Sequence, residues 1–242
     1  MNEPNSQACY RRVLLKLSGE VLGGERGSGL EPAALAMVCQ EVLAAAELGV
    51  QLCLVVGGGN ILRGGSGTGS TFERTRGDSM GMLATVINAL ALEDVLQRHG
   101  RRARVLTATP MLPIAAPFSA SRARTLLDEG WIVLAAGGTG HPYFSTDTAA
   151  ALRALEIEAD ALLKGTKVDG VYDRDPKKHA EARRLSRLSH QEAIAQQLQV
   201  MDLTALSLCQ QHRLPIHVFQ LTRPGELERL LRGEAIGSVV SS

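Results

Sequence analysis

The chain has 242 residues, 45% of them hydrophobic and 21% charged, which is enough apolar content for a sizeable core and more than a disordered segment carries. Lys and Arg number 26 against 25 Asp and Glu, so a net charge of +1 excludes a general attraction for nucleic acid or anionic lipid and leaves room only for a local basic site. Aromatic residues make up 3%, whereas 25 glycines stand bunched in a few places.

Taken in chain order, the polar start MNEPNSQACYRR and the apolar run broken at Lys16 do not read as a signal peptide, so a cytoplasmic protein is expected. Residues 12–17 (RVLLKL) read as a strand. A helix is expected from Pro32 to Leu48, with Pro32 in its first turn and Gly49 just beyond its end. Residues 50–56 (VQLCLVV) read as a strand that ends in Gly57-Gly58-Gly59. Asp78 is the expected N-cap of a long helix that runs to about His99 and stops at Gly100. Its apolar stretch, Met80 to Leu92, is too short to span a bilayer.

Further strands are expected at 104–107, 131–135, 159–164, 216–221 and 236–240, with helices over about 121–129 and 146–155. Ser189-His190-Gln191-Glu192 is a capping-box pattern, and Asp202 can cap the helix after it. Cys9, Cys39, Cys53 and Cys209 lie far apart without a Cys-x-x-Cys pair, as reduced structural thiols do. Alternating strands and helices predict an α/β fold, a three-layer αβα sandwich on a mostly parallel sheet, forming a single domain over residues 1–242.

In such sheets ligands bind beyond the carboxyl ends of the strands. The glycines fall there: Ser18-Gly19, Gly57–Gly59, Gly137–Gly140 and Lys164-Gly165-Thr166 each follow a strand. Glycine lets backbone N–H groups approach phosphate closely, and lysine adds a compact positive charge. The pattern therefore points to one shared anion-binding crevice. The P-loop and the dinucleotide fingerprint are both absent from the sequence, as are zinc spacings and a serine-hydrolase elbow. Lys16 inside an apolar strand must lie near an edge, be paired, or face a ligand. Asp147, Asp169, Asp175 and Asp202 are open between cap or turn roles and the site. The arginines at 98, 101, 102 and 104, and at 183, 184 and 187, read as solvated faces.

In order along the chain, five motifs resemble the bacterial uridylate (UMP) kinases of the amino-acid kinase superfamily. They are Lys16-Leu17-Ser18-Gly19-Glu20; Gly57-Gly58-Gly59-Asn60 with Arg63; Gly77 to Thr85; Gly138 to Asp147; and Lys164 to Tyr172 with Asp175-Pro176, followed by Val200-Met201-Asp202-Leu203. The resemblance covers about residues 10–240. It implies phosphoryl transfer from ATP to UMP, an acceptor half at about 10–155 and an ATP-binding half at about 156–242. On the ATP side it places Lys16, Leu17, Ser18, Gly19, Gly59, Arg63, Thr166, Tyr172 and Asp175. On the UMP side it places Gly58, Asp78, Thr139, Gly140, His141, Pro142, Tyr143, Phe144, Ser145 and Thr146. Lys16, Arg63 and Lys164 would neutralise phosphate charge with a Mg²⁺ on ATP, Asp147 would orient a lysine or the metal shell, and Asp202 would assist.

The resemblance also implies a homohexamer, feedback inhibition by UTP and activation by GTP. His141 stands where the enterobacterial members of the family have asparagine. Glu93 stands where the GTP-activation region has an arginine, and a glutamate repels phosphate. Two other readings share the lysine and glycine chemistry. One is a kinase of the same superfamily acting on a carboxylate or carbamate; the other is a nucleotide sensor that binds without transfer.

Overall fold

A computed structural model describes residues 8–62, 72–176 and 178–242, and in it the strands and helices close into one sheet between two helical layers. The chain runs through β1 (Arg12–Leu17), α1 (Gly19–Leu22), α2 (Pro32–Glu47), β2 (Gln51–Val56), α3 (Arg74–Arg98), β3 (Ala103–Thr107), β4 (Ala116–Pro117), α4 (Ala120–Asp128), β5 (Ile132–Ala136) and α5 (Thr146–Glu156). It continues through β6 (Ala161–Thr166), β7 (Val171–Tyr172), β8 (Arg184–Leu185), β9 (Arg187–Ser189), α6 (His190–Ala195), α7 (Leu203–Gln211), β10 (Ile216–Gln220), α8 (Glu226–Leu231) and β11 (Ser238–Ser241).

The nine-stranded sheet has the order β4-β3-β5-β2-β1-β6-β10-β11-β9, and only the β10–β11 pair is antiparallel. β7 and β8 form a separate antiparallel pair. Central strands buried on both faces must be apolar throughout, and β1 is buried at all six positions. Arg12 at its first position and Lys16 near its end are its two charged residues. Alternate residues of β1 feed two cores: Val13, Leu15 and Leu17 pack with residues of α2, α3 and α8, while Leu14 packs with residues of α4, α5 and α7. By the two-residue period of a strand, Lys16 shares the face of Leu14.

Several helix boundaries follow the expected local chemistry. Pro32 opens α2, and Gly49 and Gly100 follow the ends of α2 and α3. The Ser189–Glu192 capping box is present in full, and the Asp202 side chain accepts the Ala205 N–H to cap α7. One expected boundary is corrected. α3 begins at Arg74, four residues before Asp78, because the Glu73 carboxylate accepts the Thr75 and Arg76 N–H groups at 3.0 and 3.1 Å. Asp78 is thus released from capping, and its carboxylate accepts from Arg74 one turn earlier and from the Tyr143 backbone. At 25 residues α3 is by length and composition long and apolar enough to cross a membrane, although Met80–Leu92 alone is too short. Its face formed by Val86, Ala89, Leu92 and Leu96 lies in the sheet core, as in a core helix.

The first two glycine loops touch. A Cβ on Gly19 would lie 2.3 Å from the Gly57 carbonyl oxygen and 2.5 Å from Asn60 Oδ1. Gly19→Ala is therefore expected to lower stability by roughly 1–3 kcal/mol through overpacking against backbone. A thermal melt beside that of the unaltered chain checks this, and an unchanged Tm would contradict it.

Candidate active site

The register of the sheet brings two lysines side by side. Lys16 on β1 is the direct partner of Lys164 on β6, so two cationic side chains emerge from neighbouring parallel strands near their carboxyl ends. α5 supplies the carboxylate that makes this arrangement tolerable. Lys16 Nζ forms an ion pair with Asp147 Oδ1 at 2.6 Å, and Lys164 Nζ donates to Asp147 Oδ2 at 2.9 Å. All three side chains are at most 16% exposed, so their charges interact with little screening. Burial pushes the Asp147 carboxyl up, but the two ammonium groups outweigh it and hold the pKa below its ordinary value. For Lys164 burial dominates and lowers the pKa from 10.5, with Asp147 opposing the shift. Lys164 also donates to the Val200 carbonyl at 2.5 Å.

The start of α5 is fixed by a second set of bonds. Ser145 Oγ accepts the N–H groups of Asp147 and Thr148, and its hydroxyl donates to Asp202 Oδ2. Thr148 Oγ1 also donates to the Asp202 carboxylate at 3.0 Å. Asp202 thus joins the cap of α7 to the first turn of α5, next to Asp147. It bears on Lys164 only through its field, which favours the charged lysine.

Two cavities that share no lining residue adjoin the segments holding this cluster: Thr146, next to Asp147, lines one, and Gln199, next to the Val200 carbonyl that Lys164 bonds, lines the other. One, of about 300 Å³, is lined by Gly58, Asp78, Gly138, His141, Tyr143, Phe144, Ser145 and Thr146, together with Arg74 and other residues of α3. Thr139, Gly140 and Pro142 belong to the same loop but do not line it, and the Thr139 hydroxyl bonds within the loop to the backbone of His141. The other, of about 350 Å³, is lined by Tyr172, Asp175 and neighbouring residues on one side and Gln196–Gln199 on the other. Thr166 lies at the end of β6, where its hydroxyl closes a turn onto Val168. Leu17 ends β1, and Ser18, Gly19 and Gly59 sit in the two contacting glycine segments beyond β1 and β2. Arg63 lies outside the described residues.

Residues given no role by the motifs, Thr85 at the end of one of them and Asn88 and Arg153 outside them, hold the crevice together. Asn88, a polar residue inside an apolar helix, donates to the Gly57 carbonyl and to Asn60 Oδ1, each at 2.7 Å. Thr85 Oγ1 accepts the Gly137 N–H at 2.8 Å and donates to the Met82 carbonyl. The interruption of the Met80–Leu92 run by Thr85 and Asn88 was their signal in the sequence. Arg153 stacks over Phe118 at 4.2 Å and reaches the Gly138 carbonyl. Its position depends on a loop meeting that no short-range pattern encodes. Glu93, which stands where the GTP-activation region has an arginine, accepts the Val105 N–H of β3 at 2.9 Å.

A mostly parallel sheet with paired lysines on a bridging aspartate, and two separate cavities lined by residues adjoining that cluster, fits a phosphotransferase of the amino acid kinase type. The model of the amino acid kinase family matches residues 11–220, and the chain belongs to that family. Among its relatives, the uridylate kinase of Porphyromonas gingivalis is 49% identical over 97% of this chain and 98% of its own length. The uridylate kinase of Xanthomonas oryzae pv. oryzae is 48% identical over the same shares. The crystal structure of UMP kinase from Bacillus anthracis superposes with a TM-score of 0.92 at 37% identity, covering 96% of each chain. That of UMP kinase from Ureaplasma parvum gives 0.89 at 33% identity, over 96% of this chain and 99% of the other.

Proposed function

We propose that this chain transfers the γ-phosphoryl group of ATP to UMP, giving ADP and UDP, as a step in pyrimidine nucleotide synthesis. The observation that carries this reading is the Lys16–Asp147–Lys164 cluster, with residues adjoining it lining two separate cavities. β6 runs from Lys164 toward the cavity of Tyr172 and Asp175, which suits adenine: the phenol ring offers an apolar face. Thr146, next to Asp147, lines the other cavity, which suits UMP. The uridylate kinase relatives support the choice of acceptor.

The acceptor oxygen of UMP is ionised at neutral pH, so no general base is needed. The barrier is the approach of two anions and their alignment in line. Lys16 and Lys164 neutralise charge as it shifts between the nucleotides, and Asp147 holds both ammonium groups at fixed positions before substrate arrives. Arg63 adds a third positive charge in this proposal. Mg²⁺ enters as part of the MgATP substrate, held through the phosphates. Among the described residues no group of three His, Cys, Asp or Glu side chains could hold a metal ion, and both Asp147 oxygens face lysines.

We further propose a cytoplasmic homohexamer inhibited by UTP. The exposed apolar residues Met80, Leu83 and Ile87 on α3 support an interface between copies. Four unpaired cysteines suit a reducing compartment. GTP is proposed as an activator that does not use Glu93 for its phosphates.

A coupled assay of ADP formation across UMP, CMP, GMP, aspartate and N-acetylglutamate tests the acceptor. UMP is expected to support turnover at least about 100-fold above the others in kcat/KM, as buried polar recognition permits. Preference for a carboxylate acceptor would sink the reading, and nucleotide binding without ADP formation would favour a sensor.

A further inference from the structure

One face of the acceptor cavity is built by three residues whose interactions converge on a single atom. Arg74 Nε and the Tyr143 backbone N–H both donate to Asp78 Oδ2, each at 2.8 Å. The Arg74 guanidinium also lies over the Tyr143 ring, 5.2 Å from its centroid. Tyr143 has a φ of 72°, a left-handed conformation that is costly for an aromatic residue and persists only where neighbours hold it. Asp78 Oδ1 takes no bond among the described residues, and the carboxylate lines the cavity.

We propose that Arg74 is a positioning residue for the acceptor: it turns Asp78 so that Oδ1 accepts from the ribose 2′-hydroxyl, and it clamps Tyr143 so that the 138–146 loop keeps its shape. This rests on UMP being the acceptor. The spacing of four residues places Arg74 one helical turn before Asp78, where the two side chains meet on one face. With Oδ2 doubly engaged, the carboxylate has one rotational position and one remaining acceptor atom. A sugar lacking the 2′-hydroxyl leaves that atom without its partner. Selection of ribose over deoxyribose therefore depends on a residue that need not touch the sugar.

The test compares kcat/KM for UMP and dUMP in the unaltered enzyme, Arg74→Met and Arg74→Lys, with KM for ATP measured in parallel. Arg74→Met keeps the apolar stem, and the native side chain is 43% exposed, so folding is expected to survive. The unaltered enzyme is expected to prefer UMP. Arg74→Met should lower kcat/KM for UMP about tenfold and for dUMP less than about threefold, with KM for ATP within about twofold. Arg74→Lys should recover part of the selectivity, since an ammonium can pair with Asp78 but lacks the planar group that stacks on Tyr143. Equal losses for both acceptors, no loss for UMP, no preference in the unaltered enzyme, or a matching rise in KM for ATP would each overturn the proposal. An unaltered chain that forms no ADP with UMP would overturn the proposed function as well, which separates the two failures.

Discussion

Replacing Lys16 with alanine is expected to lower kcat by about 10²–10³-fold, the scale of losing one preorganised charge contact to a transition state. KM for UMP should stay within about twofold, because the acceptor cavity is lined by other residues. The fold should survive, since Asp147 keeps Lys164 as its partner and the variant buries one charge fewer. Lys16→Arg should remain poor: a planar fork cannot replace a compact ammonium inside β1 without moving Asp147. Steady-state kinetics with both substrates varied check this. A kcat within threefold of the unaltered enzyme would remove Lys16 from the mechanism.

Replacing Asp147 with asparagine should cost both turnover and stability. The two lysines lose the carboxylate between them, and breaking such a largely buried pair costs roughly 3 kcal/mol of stability. Turnover should fall by about 10²-fold or more as the ammonium groups lose their fixed positions. The pH dependence has a definite sign. Because the Asp147 pKa is depressed in the folded chain, its contribution to stability is present above the unfolded value of 3.8 and is lost as pH falls through the folded value. The asparagine variant lacks that acid-side loss. On the alkaline side, Asp147 raises a Lys164 pKa that burial lowers, so the variant should lose activity at lower pH than the unaltered enzyme. Identical alkaline limbs in the two kcat profiles would show that Lys164 is not the titrating group.

Much of the site was legible because its residues violate local patterns. Lys16 is a charge inside the apolar run that follows Arg12, and the glycine clusters fall at strand ends, so both announce themselves without structural information. The helix that starts at Pro32 and the Ser189–Glu192 capping box also follow from short-range chemistry. The pairing of Lys16 with Lys164 was not legible from spacing, because it depends on β6 lying beside β1 across a long crossover. Resemblance placed both lysines at the phosphates, but not Asp147 between them with one oxygen for each. Asp78 was misread as a cap since aspartate is the commoner cap residue, whereas Glu73 performs that task here and leaves Asp78 to Arg74 and Tyr143. Two-residue strands such as β4, β7 and β8 are too short to show a period, and pairing with distant partners creates them.

The central claim is that phosphate passes directly between two nucleotides held on either side of the lysine pair. A rapid-quench single turnover with ATP labelled in its γ-phosphate, excess enzyme and UMP tests it most directly. The label should appear in UDP at the rate at which ATP disappears, with none retained on protein and none released as inorganic phosphate. Labelled protein that forms before UDP, or consumption of ATP without UDP, would contradict it.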